Sequence, residues 1–449
     1  MNQPLAGSTG NGTAYRLDSV NARGGAPDLL MLVSFSGGGK RSAAFAHGAL
    51  RALRDMEFEI EGRRSRLIDE IDQIAGVSGG SFPAAHYGLH GDRHFETFGP
   101  EFLDVDINAY IYGTYLLPWH WEWLVNPLYG TNDRMAEIYD RLMFRGATFE
   151  TLIARGRPQV SVNATDFSFG TPFGFTAYNF DLICSDFRSF PLARAVAASN
   201  GFPVLFSPVT LQNHRGPDCR APIAEPPDRH LIRANPRTRR VAQTMARYLD
   251  AERTPWVHLM DGGIADNLAL RATLNSLLIV QGQIQNYAPQ LAGLRRVLVL
   301  SVDGQAAADP SYSRQRVVSG LSTIFAGVSG GQIDNYNIET LVLADDEVQS
   351  LARDIRTLRC RTGPRVAGYA CDDVHGAVVH IALADYPDAA ARARLELIPT
   401  GLTIDAADVQ ALVTAGESMV KHSPELRRFV EGMTTPPATD RVVMRRGAR

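Results

Sequence analysis

Three short apolar runs in this chain stop at glycines, and each gives way to a stretch of helical periodicity. They are DLLMLVSF before SGGGKRS (28–42), IDQIAGV before SGGSFPAAH (71–86) and WVHLM before DGGIADN (256–267). Runs of this length, ended by glycine, read as buried strands. PQVSVN (158–163) and RVLVLSVD (296–303) add two more. Helices are expected over Ser42–Asp55, where Ala43, Ala46, Leu50 and Leu53 recur at helical spacing and Ser42 is placed to cap the start. Others are expected over about Ser81–Leu89, Phe190–Asn200 and Asn267–Val280. Strands alternating with helices restrict the chain to an α/β fold with a mostly parallel central sheet.

After Asp303 helices dominate, with one strand expected at Val378–Ala384 and a long helical stretch at about Ala406–Met433. No Pro- or Gly-rich linker sets this part off. The expected organisation is a mobile tail (1–27), a main α/β domain (28–305), a mainly helical C-terminal extension packed on it (306–435) and a basic tail (436–449). The Pro-, Arg- and Asp-rich interval Pro208–Thr254 reads as a surface excursion.

Composition excludes more than it selects. A net charge of −3 over 449 residues gives no argument for nucleic acid as a partner. No run of 18 apolar residues implies a membrane span, and the first 27 residues lack a signal-peptide pattern. A cytoplasmic or peripheral membrane protein is therefore expected. Cys184, Cys219, Cys360 and Cys371 are expected as reduced thiols, since nothing marks export. Cys371 and His375 lie close together with Cys360 upstream, but no fourth ligand stands at a zinc-like spacing, so no metal and no cofactor is expected.

The glycine turns suit a particular chemistry. Ser36–Ser42 joins strand to helix, so its backbone N–H groups and the helix N-terminus can hold a phosphate or an oxyanion. It is not a P-loop, because the Gly-Lys-Ser/Thr ending is missing. Gly76–Gly80 (GVSGG) centres Ser78 in a G-x-S-x-G motif, in the strand–turn–helix context of a nucleophile elbow. The same AGVSGG recurs at Ala326–Gly331 around Ser329, but there it follows a helix-like run, so Ser78 is the candidate nucleophile. In the third turn, Asp261 can accept the serine proton, or simply close the strand as an Asx turn. His86, roughly 12 Å along a helix from Ser78, is poorly placed to act as base. His258 would point to the sheet face opposite Asp261.

In that order, strand–GGG-x-R, strand–G-x-S-G-G–helix and strand–DGG resemble the patatin-like phospholipase family. ARAVAASNGFPVLFSPVTL (193–211) is similar to the family's segment between serine and aspartate. The resemblance covers about 28–303. It implies a three-layer patatin-like fold and a lipid acyl hydrolase that needs no metal. It also implies a Ser–Asp dyad, with Ser78 as nucleophile and Asp261 as general base. Gly37, Gly38, Gly39 and Lys40 match the oxyanion hole, and Arg41, Gly76, Gly79, Gly80, Gly262 and Gly263 support the motifs. The chain departs from the family's GGG-x-R-G at Ser42, which bears on the oxyanion geometry. An acyltransferase or thioesterase with the same site, and a silent lipid-binding module, are the alternatives. The substrate class is a lipid or other acyl ester. Residues 108–125 (NAYIYGTYLLPWHWEWLV) hold three of the four Trp. They are a candidate lid or peripheral membrane contact, although an aromatic packing cluster is the favoured reading. Pro118 excludes one continuous helix there.

Overall fold

The structure, a computed structural model, describes residues 1–6, 28–60, 63–121, 129–203, 205–223, 229–275, 291–305 and 321–433, with the single residues 11, 126, 314 and 316. In chain order the strands are β1 (Leu29–Phe35), the hairpin β2 (Glu57–Ile60) and β3 (Arg63–Arg66), β4 (Gln73–Val77), β5 (Gln159–Asp166), β6 (Thr171–Phe175), β7 (Val209–Gln212), β8 (Trp256–Met260), β9 (Arg296–Asp303), the hairpin β10 (Arg365–Val366) and β11 (Tyr369–Ala370), and β12 (His375–Ala382). The helices that matter below are α1 (Gly39–Asp55), α2 (Ser81–His90), α3 (His94–Phe98), α4 (Ile107–Leu116), α5 (Leu192–Ser199), α6 (Leu321–Thr362), α7 (Ala406–His422) and α8 (Pro424–Met433).

The main sheet runs β12-β9-β1-β4-β5-β8-β7, with β6 also on β5. From β12 to β5 all pairings are parallel. β6 and β8 lie antiparallel to β5, and β7 antiparallel to β8. Side chains of a strand alternate between faces, and here both faces are dry. Leu29, Met31, Val33 and Phe35 join one apolar core with α1, α2 and α7. Leu30 and Leu32 join a second core with Val297, Val299 and residues Ala344–Ile355 of α6. That double burial explains why β1 and β9 read as unbroken apolar runs rather than alternating ones. The architecture is the expected α/β sandwich with a mostly parallel sheet.

α1 is buried nearly all round because α7 lies across it. The crossing is close: a Cβ on Gly48 would lie 2.0 Å from the Val413 carbonyl oxygen, and one on Gly416 would lie 2.1 Å from that of Phe45. The residues after 305 thus supply an edge strand (β12) and covering helices to both faces of the sheet.

Several local expectations change. α1 begins at Gly39, with Gly38 as cap, so Ser42 is helical; its hydroxyl donates to the Ser36 carbonyl (2.7 Å). Between Asn267 and Leu270 the chain turns, helix follows at 271–275, and the remainder of the expected helix lies outside the described residues. The thiols are not reduced: Cys184 pairs with Cys219 and Cys360 with Cys371. The expectation of reduced thiols fails because the sequence carries no signal of the fold that brings Cys184 and Cys219, 35 residues apart, together. Of the expected tail (1–27), residues 1–6 and 11 are among those described. Asn2 donates to Ser185 Oγ and the Gln212 carbonyl, and Asn11 is buried on Asp181.

Register places the turns together. Phe35 stands opposite Gly76 and Val77 opposite Asn163, so β1, β4 and β5 release their turns at one edge of the sheet. β8 reaches the same place from the other direction. Its last residue, Met260, pairs with Thr165, two residues beyond Asn163.

Candidate active site

Ser78 follows β4 directly and has φ of 49°, a left-handed conformation that costs a non-glycine residue about 1–3 kcal/mol. Three contacts hold it there. Its N–H donates to Ser199 Oγ (2.9 Å), whose hydroxyl donates in turn to the Asn163 carbonyl (2.6 Å). Ser81 Oγ donates to the Ser78 carbonyl (2.6 Å). The turn aims Ser78 Oγ at Asp261 Oδ2, to which it donates at 2.8 Å. Asn200 Oδ1 lies 3.4 Å from the same hydroxyl, and Asn200 Nδ2 donates to Tyr139 Oη (3.2 Å). Ser78 and Asp261 are 7% and 8% exposed.

Asp261 is fixed at both ends. Its N–H donates to the Gly201 carbonyl (3.0 Å), and Oδ1 accepts from the Gly263 N–H (2.8 Å). Burial pushes its carboxyl up to about 6, against the opposing pull of the Gly263 and Ser78 hydrogen bonds. A carboxylate in this state is a better proton acceptor near neutral pH than an exposed one.

The first glycine turn packs on Ser78: a Cβ on Gly37 would lie 3.4 Å from that of Ser78. Not every N–H in it is free. Gly37 donates to the Asn267 carbonyl (2.9 Å) and Lys40 to the Gly401 carbonyl (2.7 Å). Gly38 and Gly39, at φ 133° and 61°, adopt conformations that need glycine, and their N–H groups meet no protein acceptor among the described residues. Of the four residues expected to supply oxyanion donors, Gly37 and Lys40 thus have their backbone N–H groups engaged by protein carbonyls. The Lys40 ammonium points elsewhere. It donates to the carbonyls of Leu103 (3.1 Å) and Val105 (2.6 Å), and burial lowers it to about 8.

Arg41 ties the turn to the rest of the fold. It donates to the Gly304 carbonyl (2.9 Å) after β9 and to the Ile398 carbonyl (2.7 Å). Gly76, Gly79, Gly80 and Gly262 stand where backbone meets backbone, most tightly at Gly79, where a Cβ would lie 2.0 Å from the Gly39 carbonyl oxygen. Gly263 supplies the N–H on Asp261.

Sequence reasoning missed Ser199, Asn200, Asn267 and Gly401. The first two fall within the SNG of 199–201, where a polar pair ends an Ala-rich helix. Gly401 carries no local signal. Among the described residues no histidine hydrogen-bonds Ser78 or Asp261. His258 Nδ1 meets Thr210 Oγ1 (2.9 Å), and His86 is fully buried among other histidines. Ser329 lies within α6, not at a strand–helix turn.

The aromatic segment is not the packing cluster expected. Asp106 caps α4, which stops before Pro118, and Tyr112 (61%), Leu116 (70%) and Trp119 (68%) are exposed. Residues 122–125 lie outside the described set. Tyr115 Oη donates to the Leu205 carbonyl, so this arm touches the 200–207 loop beside Asp261, where Phe202 and Leu205 are also exposed. Among the described residues no helix is long and apolar enough to cross a membrane.

Comparison with curated protein sequences yields no match. Among solved structures, human GIVD cytosolic phospholipase A2 aligns at 11% identity with a TM-score of 0.45, over 94% of this chain and 62% of that one. The same human protein in complex with methyl gamma-linolenyl fluorophosphonate aligns at 13% identity with a TM-score of 0.41, over 94% and 63%. The chain spans less than two thirds of the length of these structures. The sequence profile described as Patatin-like phospholipase matches residues 33–274, more than half of the chain and a span that contains both Ser78 and Asp261. The chain belongs to the patatin-like phospholipase family.

Proposed function

We propose that this protein hydrolyses carboxylic esters of lipids, as a phospholipase A or lysophospholipase, through a Ser78–Asp261 dyad. The observation that carries the reading is the 2.8 Å hydrogen bond from a strained, buried serine to a buried aspartate whose proton affinity is raised. Ser78 Oγ attacks the ester carbonyl as Asp261 takes its proton. The oxyanion forms against the N–H groups of Gly38 and Gly39. Asp261 then gives its proton to the leaving alcohol, and the cycle repeats with water on the acyl-enzyme. Each oxyanion donor contributes about 10²–10³ in rate.

The exposed aromatic arm supports a lipid substrate met at an interface. Trp and Tyr side chains with an apolar body and a polar tip settle at the headgroup level. Tyr112, Leu116 and Trp119 are exposed on this arm, and Phe202 and Leu205 on the loop that Tyr115 contacts beside Asp261.

The test is labelling by a fluorophosphonate probe together with hydrolysis of a soluble p-nitrophenyl ester and of phospholipid vesicles. Ser78→Ala and Asp261→Asn are expected to lose about 10³-fold or more in turnover, and Ser78→Ala to lose labelling, while Ser329→Ala keeps both. Full labelling and turnover in Ser78→Ala would remove the basis of this reading.

A further inference from the structure

Four of the chain's 11 histidines gather where α1, α2 and α3 meet, outside the site described above. His86 and His90 are four residues apart on α2, so they share one helix face, and their ring centroids are 4.4 Å apart. Glu101, in the π-helical turn Gly99–Leu103, brings Oε2 to 3.1 Å from His86 Nε2. One donor atom from each of His86, His90 and Glu101 lies within 4.8 Å of the others. Zinc takes histidine nitrogen and carboxylate oxygen at ~2.0–2.2 Å, which sets tetrahedral donors ~3.3 Å apart. The His86–Glu101 spacing already falls near that value.

The surroundings orient these three groups as outer partners orient metal ligands. Glu101 Oε1 accepts from Arg145 (2.7 Å), and His90 Nε2 meets the Met143 carbonyl (3.3 Å). Behind His86 runs a chain of imidazoles. His86 Nδ1 meets His94 Nδ1 (3.0 Å), and His94 Nε2 meets His47 Nδ1 (2.9 Å). His47, His86 and His94 are buried, which disfavours the charged ring, and a neutral imidazole keeps one lone pair. If His86 Nε2 takes a cation, each of the three rings moves its proton to its other nitrogen. His86 then donates to His94 and His94 to His47, and all three stay neutral. The hydrogen bonds between the three rings thus survive ion binding with their direction reversed.

We propose that His86, His90 and Glu101 bind a divalent transition-metal ion of the zinc class, with water in the fourth position. The ion would fasten α2, which starts three residues after Ser78, to the 94–103 segment. That segment leads to Leu103 and Val105, the acceptors of the Lys40 ammonium, and to the root of the aromatic arm. His86 lies eight residues from Ser78, roughly 12 Å along a helix, so the ion acts on the frame of the site and not on the reacting atoms.

Untagged protein stripped with a chelator is titrated with Zn²⁺ by calorimetry and with Co²⁺ by visible absorption. One ion per chain, tetrahedral-type Co²⁺ bands and a Tm that rises with metal concentration are expected. His90→Ala and Glu101→Gln are each expected to weaken binding about tenfold or more and to lose the Co²⁺ bands. Ser78→Ala should bind like the wild type, which keeps this result separate from the hydrolase reading. Both altered residues are only partly buried, so circular dichroism can establish that at least one variant is folded. Wild type that binds neither ion below ~1 mM, or folded variants that bind as it does, would overturn the proposal.

Discussion

Asp261 sits between two opposing influences: burial raises its pKa, and two donors lower it, with the balance at about 6 against an ordinary 3.8. The proposed dyad needs the carboxylate, so kcat/KM should rise with pH through about 6 and then level off. Stability should run the other way. With the folded pKa above the unfolded one, the native state binds the extra proton, so this group stabilises the fold increasingly as pH falls from about 6 towards 4. At pH 7.5 the buried charge costs on the order of 3 kcal/mol. Asp261→Asn keeps the acceptor but removes the charge. It is expected to melt higher than wild type at pH 7.5 and to lose that advantage near pH 4, while turnover is lost at both. Melts showing the same difference at both pH values would refute the assignment of this buried charge. Ser78 and Asp261 were legible in the sequence because strand-to-glycine turns are local chemistry. The commitments of Gly37 and Lys40 were not, because their acceptors, Asn267 and Gly401, arrive from over 200 and 350 residues away.

At the scale of elements, the arm built on α4 was half legible. Aromatic density and the break at Pro118 were in the residues, but exposure was not, since an aromatic run reads the same whether packed or presented. If the arm meets a lipid surface, Leu116→Ser with Trp119→Ser should lower binding to phosphatidylcholine vesicles roughly tenfold or more, given about 1.5–3 kcal/mol for each large apolar side chain fully removed from water. Hydrolysis of a soluble ester should be unchanged. Vesicle co-sedimentation read beside a p-nitrophenyl ester assay separates the two, and equal loss in both would point to a damaged fold instead. The direction of β8 was also hidden. A five-residue apolar strand looks the same parallel or antiparallel, yet only its antiparallel run ends Met260 beside Thr165 and hands Asp261 to Ser78.

For the whole molecule, the family's span ends at residue 274, but the layers do not close there. β12 completes one side of the sheet, α6 covers one face, and α7 crosses α1 at Gly48 and Gly416. A fragment of residues 28–305 would expose the second core along Leu30, Leu32, Val297 and Val299 as well as the outer side of α1. It is expected to be insoluble or to melt without cooperativity, whereas the full chain melts cooperatively; scanning calorimetry on both decides this. In the full chain, Gly416→Val should lower Tm, because its side chain would overlap the Phe45 carbonyl.

The Gly401 carbonyl, which receives the Lys40 N–H, bears on how chains of this kind diverge. The connections between α6, β12 and residue 398 can grow or shrink, provided both elements keep their places and the chain returns to lay 398–401 across the start of α1. A descendant that lost this return would have to recruit another acceptor or give up the helix start beneath its glycine turn. Selection for turnover would then act on a stretch that never meets substrate, and substitutions at 39–41 and 398–401 should be inherited together.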